Sequence, residues 1–319
     1  MASEFDLIRQ YFYSSDLPGD VTLGVGDDAA LLNIPEGQQL VVTADTLNAG
    51  IHFPENTSAE DIGHKALAVN LSDLAAMGAT PRWVTLALSL PESDESWVSG
   101  FARGFRYLAG KHNVSLVGGD TTRGPLSMTV QAMGWVNNGM ALLRSTASVG
   151  DSIYVSGGIG DAGLALRYLT AQKPVSDTLL HRLNRPEPRV ALGQALIGIA
   201  NACIDVSDGV VADLKHMLEG SAVGADLHLA QMPYSDEVQQ WIAGGNDAAL
   251  PLTWGDDYEL LFTASPGHES AIQKLSSQLS LSITRIGEIT EQQGLRIFTP
   301  EGEVTNVAGT GYDHFGNRS

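Results

Sequence analysis

The sequence predicts a mixed α/β protein built as two domains. Three observations predict it: a length of 319 residues, short apolar strands alternating with helical patterns throughout, and one mid-chain stretch with neither pattern. That length exceeds one ordinary small domain and suits one large or two medium ones. Hydrophobic residues make up 43% of the chain, enough for an ample core. Leu40 to Ala44, Val84 to Leu90, Met128 to Val136 and Ile153 to Val155 read as strands. The clearest helix runs from about Ala59 to Met77. Ser58 and Asp61 have capping-box spacing, the apolar face includes Ile62, Ala66, Val69 and Met77, and Gly78 stands where a C-terminal cap belongs. Further helices are expected over 161–171, 189–202, 210–219 and 267–279. The stretch Asn137 to Gly150 is rich in Asn, Gly and Ser and falls between two strand patterns. It marks the expected boundary, with domains over 1–137 and 149–319 joined by a linker at 138–148. Alternation alone does not fix strand order.

Acidic side chains outnumber basic ones by 37 to 18, a formal charge of −19. Such a charge argues against nucleic acid or an anionic membrane surface as partner, because both are polyanions. It leaves a phosphorylated substrate open, since divalent cations invert the local sign of a carboxylate cluster. The plainer reading of the acidity is solubility. The single cysteine, Cys203, rules out an internal disulfide and a Cys-built metal site, and its apolar neighbours from Ile199 to Ile204 predict a buried thiol. Met1 to Gln10 has no apolar signal core, and no apolar run approaches a membrane span, so a cytoplasmic location is expected.

The informative feature is where the aspartates fall. Asp27 and Asp28 lie in the small-residue loop from Gly24 to Ala30. Asp45 ends the apolar run Leu40 to Ala44, and Asp120 ends another in Val117-Gly118-Gly119-Asp120-Thr121-Thr122-Arg123-Gly124. Asp205 and Asp208 bracket Ser207 in Ile204-Asp205-Val206-Ser207-Asp208-Gly209, between a strand pattern and a helix. Strand ends that run into glycine loops are where α/β proteins commonly place ligands. Asp73 differs: it sits inside an apolar helix, on one face with Ala66, Asn70 and Met77. Taken singly, each has an ordinary explanation as a turn former, a helix cap or a solvated helix edge. Taken together they point to a cation, because clustered carboxylates repel by roughly 4 kcal/mol per pair at 4 Å in an effective dielectric near 20. Oxygen-only ligands favour Mg2+ or a similar hard ion.

Hard cations beside glycine loops suit a polyphosphate substrate. Arg123 and Arg144 are available for phosphate contacts, or are surface charges. No G-x-x-x-x-G-K-[ST] motif occurs, which excludes a P-loop protein. The stretch from Gly157 to Gly163 lacks dinucleotide-loop spacing and reads as a strand-to-helix turn.

These segments together resemble the thiamine-monophosphate kinases, in the superfamily of aminoimidazole ribonucleotide synthetase-like ATP-binding proteins. The resemblance runs from Gly24-Val25-Gly26-Asp27-Asp28, through Lys65 to Ala79 and Gly118 to Gly124, to Gly311-Tyr312-Asp313-His314-Phe315. It implies a two-domain subunit and a homodimer whose N-terminal domains meet in a β-barrel-like interface. It implies ATP as co-substrate and several Mg2+ ions held by Asp28, Asp45, Asp73, Asp120, Asp205 and Asp208, with Thr43 at a further ligand position. It implies ATP contacts from Gly119, Asp120, Arg144 and Ser207, and thiamine monophosphate contacts from His52 and Tyr312. The sequence departs from the family pattern at two places. Asp256, in Gly255-Asp256-Asp257-Tyr258-Glu259, replaces a substrate-facing glutamate with a carboxylate one methylene shorter, whose contact is kept by a small shift or through water. Ala44 stands where a hydroxyl residue is usual, and a metal contact through its main-chain carbonyl would lose nothing.

The implied acceptor is a phosphate oxygen, already anionic near neutral pH, so no general base and no phosphoenzyme are expected. Other readings of the same aspartates are an ATP-using synthetase acting on a carbonyl or amide, a carboxylate-metal phosphohydrolase, and a nonenzymatic Mg-nucleotide sensor. A selenophosphate synthetase would want a reactive cysteine near a glycine loop, and none is there.

Overall fold

The computed structural model describes residues 4–14, 17–305 and 311. The chain divides into two compact units, Met1–Leu74 with Ala79–Met140, and Ala75–Gly78 with Ala141–Ser319.

In the first unit a short helix α1 (Glu4–Leu7) leads through the wider turn Ile8–Phe12 to the strands β1 (Val21–Leu23) and β2 (Leu31–Leu32). Then follow β3 (Gln38–Asn48), α2 (Ala59–Ala76), β4 (Thr80–Leu90), α3 (Glu95–Lys111), β5 (Ser115–Arg123) and β6 (Ser127–Asn137). The last four strands form one sheet in the order β3-β6-β4-β5. Its one parallel pair, β4 with β5, is the pair joined through a helix, as a parallel crossover requires.

Register assigns each strand residue to a face. Val41, Thr43, Asp45 and Leu47 lie opposite Gly134, Ala132, Val130 and Met128, which are buried. The other face carries Leu40 and Val42, 44% and 48% exposed, opposite Trp135 and Met133. Among the described residues one end of that face is covered, where Val21, Trp83 and Val117 cluster with Leu17, Ala30 and Leu32.

Helix α2 begins as its capping box predicts. Asp61 N donates to Ser58 Oγ at 3.1 Å, and that hydroxyl donates to Asp61 Oδ2 at 2.7 Å. Gly78 (φ +69°) follows its last turn. The expected single apolar face is not what the fold uses: residues 62–72 are all buried, His64, Lys65, Asn70 and Ser72 among them. Close approach to α3 explains this. A side chain at Gly63 would lie 2.1 Å from Phe101 O, and one at Gly104 only 1.8 Å from Glu60 O.

The second unit contains β7 (Ser152–Ser156), α4 (Asp161–Thr170), α5 (Asp177–Asn184), α6 (Val190–Ala195), β8 (Ala202–Asp205), α7 (Val210–Ser221) and β9 (Gly224–His228). It continues with α8 (Asp236–Ala243), β10 (Leu260–Ala264), α9 (Glu269–Leu279), β11 (Ile283–Thr290), β12 (Gly294–Phe298) and β13 (Val304–Thr305). The sheet order is β13-β12-β9-β11-β7-β10-β8. Every residue of β7, β8 and β10 is buried, which is why they show no alternation of apolar and polar residues. Ile153, Val155, Ile204, Leu214, Leu227 and Leu261 belong to one core cluster, and Trp254 joins Leu164, Leu179 and Val238 in another.

The structure corrects two sequence expectations about elements. The helix expected over 189–202 is the short α6; the chain turns at Gly198 (φ +78°), and residues 202–205 pair with β10 instead. Asp45 and Asp120 do not end their strands. Ladder pairing continues past Asp45 to Asn48 and past Asp120 to Arg123, because backbone hydrogen bonding is indifferent to a polar side chain that need not enter an apolar core.

Candidate functional site

In the first unit, β3 and α2 bring two pairs of polar residues together. Thr43 and Asp45 are two apart on one strand face, while Asn70 and Asp73 are three apart on the helix. Thr43 Oγ1 donates to Asp73 Oδ2 at 2.5 Å. Asp45 N donates to Asn70 Oδ1 at 3.1 Å, and Asn70 Nδ2 donates to Ala66 O at 3.1 Å, which fixes the amide. Burial raises the Asp73 carboxyl above its ordinary value, with the Thr43 hydroxyl acting in the other direction. Ala44 is exposed, on the opposite face of β3.

Asp120 is not brought against that cluster. Its register partner is Ala87, whose other partner Thr129 faces Thr46. Asp120, Ala87 and Thr46 are exposed on the open face of the sheet. Strand β5 is also three strands from β3, about 14 Å at ordinary spacing. Gly119 (φ +146°) admits no side chain, since one would lie 1.9 Å from Leu86 O. Asp28 is exposed in its loop, and its amide donates to Asp27 Oδ1 at 2.8 Å. His52 lies in the turn after β3, where its Nδ1 accepts Asn48 N at 3.0 Å. Buried Lys65 donates to His52 O at 3.2 Å. Arg123 is exposed, with its Nε on Pro91 O at 3.3 Å.

In the second unit the acidic loop follows β8. Asp205 is buried, and Ser207 and Asp208 are half-buried. Gly209 (φ +108°) makes the turn into α7, where a side chain would meet Thr253 C at 2.8 Å. Beside this loop runs Gly255 to Glu259. Asp256 N donates to Ser207 O at 2.9 Å, Tyr258 N to Val206 O at 2.8 Å, and Val206 N to Glu259 O at 2.8 Å. Asp256 and Tyr258 both take left-handed backbone conformations (φ +72° and +48°), and Tyr258 Oη donates to Asp256 Oδ1 at 3.1 Å. Asp205, Ser207, Asp208 and Asp256 therefore share one two-segment platform. Gly311 packs against it, where a side chain would lie 2.4 Å from Ala212 Cβ and 3.0 Å from Asp208 O. Tyr312 lies outside the described residues. Arg144 is exposed in this unit.

A buried ionic knot anchors the platform. Glu259, fully buried, accepts from Ser156 Oγ at 2.6 Å, Arg182 Nη2 at 2.9 Å, and both Nε and Nη2 of Arg189. Asp257 accepts Gly160 N with both oxygens, at 3.0 and 2.9 Å, and burial raises its carboxyl well above the usual range. The stretch from Gly157 to Gly163 is thus the strand-to-helix turn expected, its Gly160 amide already used by Asp257. Cys203 is buried, and burial, then the charge of Asp205, pushes its thiol up.

Sequence reasoning missed Asn70 as a hinge of the first cluster and Asp213, Tyr258 and Glu259 in the second. The signal for Asp213 was its spacing, four residues after Gly209 in the first turn of α7. The aspartates stand four in the first unit and two in the second. Among the described residues no three His, Cys, Asp or Glu side chains form a ready-made metal cage.

Two family models cover most of the chain. Residues 26–136 match the AIR synthase related protein N-terminal domain, and residues 148–299 match its C-terminal domain. The chain is 46% identical to the thiamine-monophosphate kinase of Escherichia coli K12 over 320 residues, 98% of each chain. It is 42% identical over 322 residues to that of Haemophilus influenzae, again covering 98% of each. The chain belongs to the thiamine-monophosphate kinase family.

Solved structures agree. The crystal structure of thiamine-monophosphate kinase from Stenotrophomonas maltophilia K279a is 49% identical, with a TM-score of 0.84 over 90% of this chain and 93% of that one. AaThiL complexed with AMPPCP and TMP is 31% identical, with a TM-score of 0.78 over 91% and 92%. The Escherichia coli hydrogenase maturation protein HypE, 22% identical, shares the fold with a TM-score of 0.79. The two-domain, AIR synthase-like α/β fold expected from the sequence is therefore correct. Among the described residues no helix is long and apolar enough to cross a membrane.

Proposed function

We propose that this chain transfers the γ-phosphoryl group of ATP to thiamine monophosphate, giving ADP and thiamine diphosphate. The observation that carries this reading is full-length identity of 46% to enzymes named thiamine-monophosphate kinase. It is supported by the 31% identical AaThiL, solved with AMPPCP, a non-hydrolysable ATP analogue, and TMP. A terminal oxygen of the acceptor phosphate bonds to the γ-phosphorus as the bond to the β,γ-bridging oxygen breaks, and ADP leaves with that electron pair. The attacking oxygen is already anionic, so alignment and charge neutralisation are the tasks left to the protein.

The donors fit Mg2+. They are carboxylates, a hydroxyl and a carbonyl, the hard oxygen set that ion takes, and the half-buried Asp73 carboxyl is held above its ordinary value by burial. Several ions would be held: in the first unit by Asp28, Asp45, Asp73 and Asp120, with Thr43 Oγ1 and the Ala44 carbonyl, and in the second by Asp205 and Asp208. Bound there, Mg2+ supplies charge neutralisation of the phosphate oxygens. Gly119, Asp120, Arg144 and Ser207 bind ATP: the bare Gly119 backbone admits a close approach, and Arg144 offers a planar fork of donors. His52, Asp256 and Tyr312 contact the thiamine monophosphate. Residues 1–137 serve as the metal-binding and dimerisation domain, 138–148 as linker, and 149–319 supply the remaining ATP and substrate groups. The location is cytoplasmic.

Purified protein with Mg-ATP is expected to release ADP only when thiamine monophosphate is added, with thiamine diphosphate identified by mass in equal amount. ADP released equally without the acceptor would replace the kinase by a hydrolase, and no ADP in either tube would favour a nucleotide sensor.

The subunit pairs with a second copy through the open face of the four-stranded sheet, which exposes Leu40 and Val42 beside Ala44 and Thr46. Joining Leu40→Glu with Val42→Glu is expected to give particles near the 33.8 kDa subunit mass by light scattering, against twice that for the parent. A parent that is itself monomeric, or a variant that stays dimeric, would remove this face as the interface.

A further inference from the structure

Asp213 stands in the first turn of α7 and is 3% exposed. One of its oxygens, Oδ2, accepts three consecutive backbone amides: Ser207 N at 3.0 Å, Asp208 N at 3.1 Å and Gly209 N at 3.1 Å. Converging consecutive amides of this kind make an anion nest, the device with which glycine loops cradle phosphate. Here the nest is filled from within the protein. The loop's amides are thus already engaged, and what it presents outward is the side chains of Ser207 and Asp208.

We propose that Asp213 is a positioning residue of the phosphoryl-transfer site, holding the 207–209 backbone so that Asp205, Ser207 and Asp208 face metal and nucleotide in one arrangement. The inference rests on the reading of Asp205 and Asp208 as metal ligands and of Ser207 as an ATP contact. Three features support it besides the hydrogen bonds. Gly209 (φ +108°) has no room for a side chain, so the loop takes a shape that only glycine allows there. Asp213 N donates to Gly209 O at 3.0 Å, which ties the same residue to the loop through its backbone. The far side of the loop is zipped to Gly255–Glu259 through Ser207 O and Val206 O, so Asp213 supplies the brace on the side where α7 begins. Buried at 3% exposure, it acts through the loop and not by touching substrate.

The test is Mg2+ activation of thiamine diphosphate formation, with KM for ATP, in the full-length protein. The Asp213→Ala variant is expected to need about tenfold more Mg2+ for half-maximal rate and to show a similar rise in KM for ATP, as loss of outer-shell partners usually costs 10- to 100-fold. The Asp213→Asn variant keeps an acceptor oxygen at the same place and is expected to stay within about threefold of the parent. A purely structural cap would lower the melting temperature and leave both constants unchanged; that result in the folded Asp213→Ala variant overturns the proposal, as does an Asp213→Asn variant equally impaired. If Asp213→Ala does not fold, Asp213→Thr takes its place with the same expectations. Asp208→Asn runs in parallel. An unchanged Mg2+ midpoint there would overturn the metal-ligand reading itself, and a raised one alongside an unaffected Asp213→Ala would overturn this inference alone.

Discussion

Replacing Asp45 by Asn is expected to lower turnover about a thousandfold while leaving the melting temperature within about 2 °C of the parent, because in the proposed reading the side chain holds metal while the backbone serves the fold. One bond that ties residue 45 to α2 is made by its main-chain amide to Asn70 Oδ1, and the substitution leaves that amide in place. Strand pairing opposite Val130 is likewise a backbone matter. What changes is one negative charge beside the Thr43–Asp73 pair, in a protein of net charge −19. If this face holds metal as proposed, the lost charge removes ground-state and transition-state interactions together, so both kcat and the Mg2+ midpoint should move. Asp120→Asn is expected to behave alike: its side chain is exposed, and an amide oxygen can still accept Thr121 N. Turnover assays paired with thermal melts decide the matter. A variant that unfolds would reassign Asp45 to the fold, and one that turns over normally would remove it from the machinery.

The second large effect falls on stability. Replacing Glu259 by Ala is expected to cost about 3–5 kcal/mol, the usual penalty for removing one member of a buried ionic group. The reason lies in what is left behind. Arg182 and Arg189, whose side chains are 23% and 15% exposed, would keep their charges with their shared carboxylate gone, and Ser156 Oγ would lose its acceptor. At roughly 2–4 °C per kcal/mol for a unit of this size, the melting temperature should fall by about 10 °C. The exposed pair Arg285–Glu288, at 53% and 52%, offers the control: Glu288→Ala should shift melting by less than about 2 °C. Replacing Glu259 and Arg189 together by Met should recover part of the loss, since two hydrophobic side chains leave one fewer orphaned charge. A Glu259→Ala variant melting within 2 °C of the parent would show that water reaches the knot and solvates both guanidiniums.

Much of the architecture was legible because it depends on local patterns. The capping box at Ser58 and Asp61, the glycine at 78 and the apolar centres of β7 and β8 are signals carried by a few neighbouring residues. The placement of aspartates beside glycine loops was legible for the same reason, and it pointed to hard cations and phosphate before any fold was known. Hidden were contacts between residues far apart in sequence. Nothing in the sequence around residue 259 announces that Arg182 and Arg189 converge on it from 77 and 70 positions away. Strand ends were misjudged wherever polarity was used as a stop signal, as at Asp45 and Asp120, because the ladder is held by main-chain groups.

The sequence by itself determined the fold class and the family, since each is written in residue types at short spacing. Tertiary structure alone decided that Thr43 and Asp73 meet across a strand and a helix, that Asp120 lies on the other face of the same sheet, and that Asp213 turns inward to fill its own loop. Those outcomes depend on register and packing. Moving a residue by one position in a strand reverses the face it occupies, and no local pattern records which register the whole sheet will adopt.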